Sequence, residues 1–133
     1  MLQNIIANLQ GIIASNSGNA PGAEAGILND ITISGNTITN GYHGIRINGN
    51  AANWANNLII AGNTLNNTVA FGIVTSYTNG LEVSDNSISM KNVDPAQDVH
   101  SIGVTISKAE NGVAVTGTPV VCYAQVGSGG SAG

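Results

Sequence analysis

Few residues in this chain could do chemistry. Of 133 residues, seven are acidic, three are basic and two are histidine. The candidates gather in three places. Asp30 stands ahead of Gly41-Tyr42-His43-Gly44-Ile45-Arg46-Ile47-Asn48, which supplies His43, Arg46 and Asn48. Trp54, the single tryptophan, lies in the segment 49–56 (GNAANWAN). Lys91, Asp94, Asp98 and His100 share the segment 90–101 (MKNVDPAQDVHS). A histidine beside a carboxylate could move a proton. Arginine and asparagine could bond hydroxyl groups, and tryptophan could stack on a sugar ring. Asp94, Asp98 and His100 could hold a cation, but their spacing of four and two in a Pro-containing loop matches no ligand signature. The sequence therefore signals no metal and no cofactor.

What these residues can do depends on what positions them, and that is a repeat. Ile31-Thr32-Ile33-Ser34-Gly35-Asn36-Thr37-Ile38 returns as Leu58-Ile59-Ile60-Ala61-Gly62-Asn63-Thr64-Leu65. It returns again as Leu81-Glu82-Val83-Ser84-Asp85-Asn86-Ser87-Ile88. A worn copy, Val113-Ala114-Val115-Thr116-Gly117-Thr118-Pro119-Val120, has Thr118 in the Asn place. The copies begin 27, 23 and 32 residues apart, so one unit of structure stacks on the next. A second motif, Gly-Φ-x-Φ (Φ apolar), interleaves with the first at Gly44-Ile45-Arg46-Ile47, Gly72-Ile73-Val74-Thr75 and Gly103-Val104-Thr105-Ile106, with a weaker Gly26-Ile27-Leu28-Asn29. Alternation over three to five residues means short strands. Each unit thus holds a strand, a turn, a second strand, an Asn bend and a third strand. Asn36, Asn63 and Asn86 are expected above one another at a left-handed bend, each bonding the amides above and below.

Composition agrees. Asn supplies nineteen residues and Gly eighteen, the two types that tolerate left-handed backbone. Only 8% of the chain is charged, yet 42% is apolar, too much for disorder. A net charge of −4 with three basic residues argues against nucleic acid. No apolar run is long enough for a membrane span, and the start lacks the basic and apolar regions of a signal peptide. Cys122 is alone, which excludes an intrachain disulfide and a cysteine-only zinc site. Residues 2–14 carry a helical stripe of Leu2, Ile5, Ile6, Leu9, Ile12 and Ile13. They read equally as strand, because Gly11-Ile12-Ile13-Ala14-Ser15 resembles Gly72-Ile73-Val74-Thr75-Ser76.

These units resemble the repeats of right-handed parallel β-helix proteins of the pectate-lyase-like superfamily, which includes polysaccharide lyases, glycoside hydrolases and phage tailspikes. The resemblance implies an all-β, single-stranded right-handed parallel β-helix of four to five coils over residues 26–122. A cap and loop over 1–25, with residues 2–14 either a capping helix or a partial coil, would precede it, and a tail or linker over 123–133 would follow. The Gly-Φ-x-Φ strands would form the first sheet, the strands before Asn the second, and those after it the third.

In that superfamily the outer face of the first sheet commonly holds an extended sugar chain. The insertions at 49–56 and 90–101 would stand as walls beside it, as loops over a rigid scaffold commonly do. Asp30, His43, Arg46, Asn48, Trp54, Asp98 and His100 are the candidate sugar-binding residues. His43-Gly44 is similar to part of the Gly-His-Gly-Φ-Ser-Ile of polygalacturonase-type hydrolases, but Arg46 stands where Ser is expected. Asp30 falls five strand positions from His43, roughly 16 Å at about 3.3 Å per residue, too far for shared acid–base work. It could instead pair with Arg46 at the surface.

Three function classes follow: a carbohydrate-binding or adhesion module, such as part of a phage tailspike or tail fibre; a polysaccharide lyase or glycoside hydrolase; or a structural trimer segment. The resemblance implies an extracellular or virion location, a polysaccharide or cell-surface glycan as partner, and a homotrimer without membrane insertion.

Overall fold

The computed structural model describes residues 10–15, 28–92 and 101–122. Among them there are ten strands and no helix. The strands are β1 (Gln10–Ser15), β2 (Asn29–Ser34), β3 (Thr37–Thr39), β4 (His43–Asn48), β5 (Ala55–Ala61), β6 (Thr64–Thr68), β7 (Phe71–Ser84), β8 (Ser87–Met90), β9 (Ile102–Thr116) and β10 (Val120–Val121).

Every pairing is parallel, and the pairings fall into three rows at four levels. The first row stacks β1, β4 and the starts of β7 and β9. The second stacks β2, β5 and the later halves of β7 and β9. The third stacks β3, β6, β8 and β10. The long strands β7 and β9 run through both of the first two rows, turning at Tyr77 and Lys108, whose backbones are left-handed. The sequence spacings return as register: Ile31 lies beside Leu58, Leu58 beside Leu81, and Leu81 beside Val113.

All three rows face one apolar core. Ile45, Ile47 and Ile73 come from the first row, Ile33, Leu58, Ile60, Leu81 and Val83 from the second, and Ile38, Leu65, Ile88 and Met90 from the third. Each is a period-2 position of its strand, as the alternation requires. The repeat glycines have a packing reason. A Cβ on Gly44 would overlap the Leu65 side chain, one on Gly72 would overlap Gly103 and Ile88, and one on Gly103 would overlap Val120. Third-row side chains reach the start of the first row there, and only a residue without a Cβ leaves them room.

One open choice is decided and two expectations are corrected. First, of the helix and strand readings of residues 2–14, residues 10–15 take the strand; residues 2–9 lie outside the described residues. The free side of β4 offers Gly11, Ile12 and Ile13 a partner, and that pairing outweighs a helical stripe that Gly11 already weakens. Second, β1 fills the first row beside β4, with Ser15 aligned to Asn48, so Asp30 does not stand there. Third, the left-handed residue at each bend is the one before the Asn place: Gly35, Gly62, Asp85 and Gly117.

Candidate ligand-binding face

The outer face of the first row presents Arg46, Val74 and Thr105 side by side, then Asn48, Ser76 and Ser107. Asn48 is buried even so. With its amide turned to satisfy both sides, Oδ1 accepts from Arg46 Nε at 2.7 Å and Nη2 at 3.0 Å, and Nδ2 donates to Ser76 Oγ at 2.9 Å. Asn48 therefore holds the guanidinium by two bonds, and Arg46, Asn48 and Ser76 make one polar strip.

Aromatic groups stand at both ends of this row. At its start His43 stacks on Phe71, with ring centroids 5.2 Å apart and planes 12° from parallel. Tyr42 meets His43 edge-on at 5.0 Å. Burial, then the Arg46 charge, holds the His43 pKa below its ordinary value of 6.5. Its Nδ1 is buried without a hydrogen-bond partner. At the far end Trp54 packs edge-on against Tyr77, at 5.5 Å and 89°. The loop carrying Trp54 is fixed by Asn50, whose Oδ1 accepts from the backbone N–H of Ala52 (2.9 Å) and Asn53 (2.8 Å), an Asx turn.

Asp30 lies elsewhere. It occupies a left-handed bend at the entry to the second row and accepts from Asn57 Nδ2 at 2.9 Å. It therefore meets neither His43 nor Arg46. β1, β4 and the first-row starts of β7 and β9, residues 71–76 and 102–107, carry no Asp or Glu. A groove of about 440 Å³ runs over Ile59, Glu82 and Ala114 on the second row, and its one carboxylate, Glu82, accepts from Ser84 Oγ at 2.7 Å. Among the described residues no three His, Cys, Asp or Glu gather as a metal site. Asp94, Asp98 and His100 lie outside the described residues; Lys91 is exposed. The structure thus brings His43, Arg46, Asn48 and Trp54 to one row and leaves Asp30 out.

The asparagines form two files. In the first, Asn63 Oδ1 accepts from Asn36 N (3.0 Å) and Nδ2 (3.0 Å), and Asn86 Oδ1 accepts from Asn63 N (3.0 Å) and Nδ2 (2.9 Å). A second file escaped the sequence reading. Asn56 Nδ2 donates to Asn29 Oδ1 (2.7 Å), Asn79 Nδ2 to Asn56 Oδ1 (2.9 Å), and Asn111 Nδ2 to Asn79 Oδ1 (2.7 Å). The signal was present: each of these asparagines stands two places before Ile31, Leu58, Leu81 or Val113.

No family model matches this chain, and neither does any curated protein or solved structure.

Proposed function

We propose that the chain is a carbohydrate-binding or adhesion module built on a right-handed parallel β-helix, similar to segments of phage tailspikes or tail fibres and acting outside the cell or on the virion. The glycan lies along the outer face of the first row. The observation that carries this reading is the polar strip of Arg46, Asn48 and Ser76 with Tyr42, His43 and Phe71 at one end of the row and Trp54 and Tyr77 at the other. Six residues separate Phe71 from Tyr77 along β7, about 20 Å at about 3.3 Å per residue, which suits an extended oligosaccharide better than a single sugar. Asn48 fixes Arg46 before any ligand arrives, so less side-chain entropy is lost on binding. The first-row segments of β1, β4, β7 and β9 carry no carboxylate, which favours binding over hydrolysis, a reaction that uses a pair of them.

Titration calorimetry with capsular, lipopolysaccharide and pectic polymers tests the reading. Binding should weaken at least about tenfold in Trp54→Ala and in Arg46→Gln, with the thermal midpoint little changed. New reducing ends or unsaturated uronates during incubation would move the chain to the enzyme class. Equal binding by both variants would remove the glycan from this face.

A further inference from the structure

We infer that Asn111-Gly112 is a site of self-modification, at which the folded chain converts its own asparagine amide into aspartate and isoaspartate with water as the only reactant. The chain holds four Asn-Gly pairs, at 40–41, 48–49, 79–80 and 111–112. Such a pair can cyclise because glycine has no Cβ to crowd the ring that forms. The Gly112 nitrogen passes its proton to water and attacks the side-chain carbonyl carbon of Asn111. The bond from that carbon to the amide nitrogen breaks, and the nitrogen leaves as ammonia with a proton from water. Water then opens the five-membered imide at either carbonyl. Opening at the side-chain carbonyl gives aspartate. Opening at the main-chain carbonyl gives isoaspartate, whose chain runs through the side-chain carbon. One water is consumed and one ammonia released, and nothing is oxidised or reduced.

The fold sorts the four pairs, because the reaction needs an amide free to rotate, room beside the glycine and water at its N–H. Asn48 and Gly49 are both buried. The Asn48 amide is held by Arg46 and Ser76, the Gly49 N–H donates to Ser76 O at 2.9 Å, and a Cβ on Gly49 would overlap Tyr77 O and Ala55 N. Asn79 and Gly80 are half-buried, and the Asn79 amide is bonded at both ends, Nδ2 donating to Asn56 and Oδ1 accepting from Asn111. Asn40 is exposed, but Gly41 is buried, which keeps water from its N–H. At 111–112 alone are both residues exposed. Nothing lies within 4 Å of the place a Gly112 Cβ would take. The Asn111 amide is held by the bond from its Nδ2 to Asn79 Oδ1, at 2.7 Å, and at an exposed site water can replace that bond.

The bend itself calls for this pair. Asn111 and Gly112 both have left-handed backbone, with φ of 54° and 97°, which few other residue types adopt without strain. Among the described residues β9 pairs on one side alone, with β7, so the bend can open without disturbing a further strand. Conversion changes the end of the outer asparagine file. Aspartate there has no Nδ2 to donate to Asn79 Oδ1, and its carboxylate adjoins Glu110. Isoaspartate adds one carbon to the main chain where β9 passes from the first row to the second.

The inference depends on no ligand, and peptide mapping by mass spectrometry on the full chain, aged in mildly alkaline buffer, tests it. In the folded chain the peptide holding Asn111 should gain the mass of an acid over an amide and split on chromatography into aspartyl and isoaspartyl forms. The peptides holding Asn40, Asn48 and Asn79 should convert at least about tenfold more slowly. In urea concentrated enough to unfold the chain the four sites should convert at similar rates, because the fold alone separates them. Asn79→Ala removes the acceptor that holds the Asn111 amide and should speed conversion at Asn111 several-fold in the folded chain. Asn111→Gln, which would have to close a larger ring, should abolish conversion at this position. An Asn111 that converts no faster than Asn40, Asn48 or Asn79 in the folded chain would overturn the proposal. So would four rates as similar in the folded chain as in the unfolded one, or a rate at Asn111 that Asn79→Ala leaves unchanged.

Discussion

The two asparagine files use one side chain in two surroundings. In the file of Asn36, Asn63 and Asn86, the last two are fully buried, and each Oδ1 accepts a backbone and a side-chain donor from the level before. Each Nδ2 also reaches a strand carbonyl, Ile33 O from Asn63 and Ile60 O from Asn86, both at 2.9 Å. In the file of Asn29, Asn56, Asn79 and Asn111, one bond joins each pair of levels, and the residues are exposed or half-buried. A bond lost from the outer file can be replaced by water. A bond lost from the inner file leaves polar atoms buried and unpartnered. The inner file therefore fixes the fold at the bend, and the outer file adds modest stability at the surface.

The largest effect should come from Asn86→Ala. It strands the Asn63 N–H and an Asn63 Nδ2 proton in a buried place and takes the Asn86 Nδ2 donor away from Ile60 O, a loss of about 3 kcal/mol or more. Urea unfolding should show a lowered midpoint with an unchanged slope. Asn79→Ala, which removes two bonds at a half-buried site, should lose about 1 kcal/mol in the same measurement. Equal losses in the two variants would break the distinction between the files.

A gain should be available where the inner file ends. Asn86 N donates to Thr118 Oγ1 at 3.4 Å, a longer bond than the 3.0 Å made to asparagine at the levels before. Thr118→Asn would supply an Oδ1 in its place and an Nδ2 aimed at Val83 O, the carbonyl equivalent to Ile33 O and Ile60 O. The expected gain is about 1 kcal/mol, read as a raised urea midpoint. A loss would mean that the last level holds its bend differently from the others.

Much of this was legible in the sequence, because a stacked fold writes its register into its spacing. The 27, 23 and 32 residues between copies are the separations across which the inner file and its Thr118 end bond. The three short strands per unit and the inward Ile, Leu and Val followed from alternation alone. The second file went unread because Asn-Asp, Asn-Asn and Asn-Gly pairs before a strand look like ordinary turn residues. Asp30 was set on the wrong row because Gly26-Ile27-Leu28 imitates the Gly-Φ-x-Φ unit, whereas Gly11-Ile12-Ile13 fills that place. The site was legible only as residue types. That Asn48 would orient Arg46, and that Trp54 would lean on Tyr77, depends on which side chains the loop and register bring together. Spacing does not carry that.

The smallest effect tests a silence of both files. Neither contains a titratable side chain, so a stability change between about pH 7 and about pH 5 has to arise elsewhere, and carboxylates titrate mostly below that window. His43 stands in neither file. Its folded-state pKa lies below 6.5, first because burial disfavours the charged ring and second because Arg46 repels it. In this window the unfolded chain therefore binds more protons at this residue than the folded one does. The contribution of the neutral ring is complete above the unfolded value near 6.5, declines as pH falls through it, and levels off below the folded pKa. His43→Phe keeps a ring against Phe71 and removes the titration. The difference between parent and variant urea midpoints should thus shrink from about pH 7.5 to about pH 5, with the variant flatter. Because His43 is partly open to water, the change should be smaller than the loss from Asn79→Ala. Parallel pH profiles for the two proteins would show that His43 is as free to charge in the fold as in the unfolded chain, and that the pH response lies in groups outside this row.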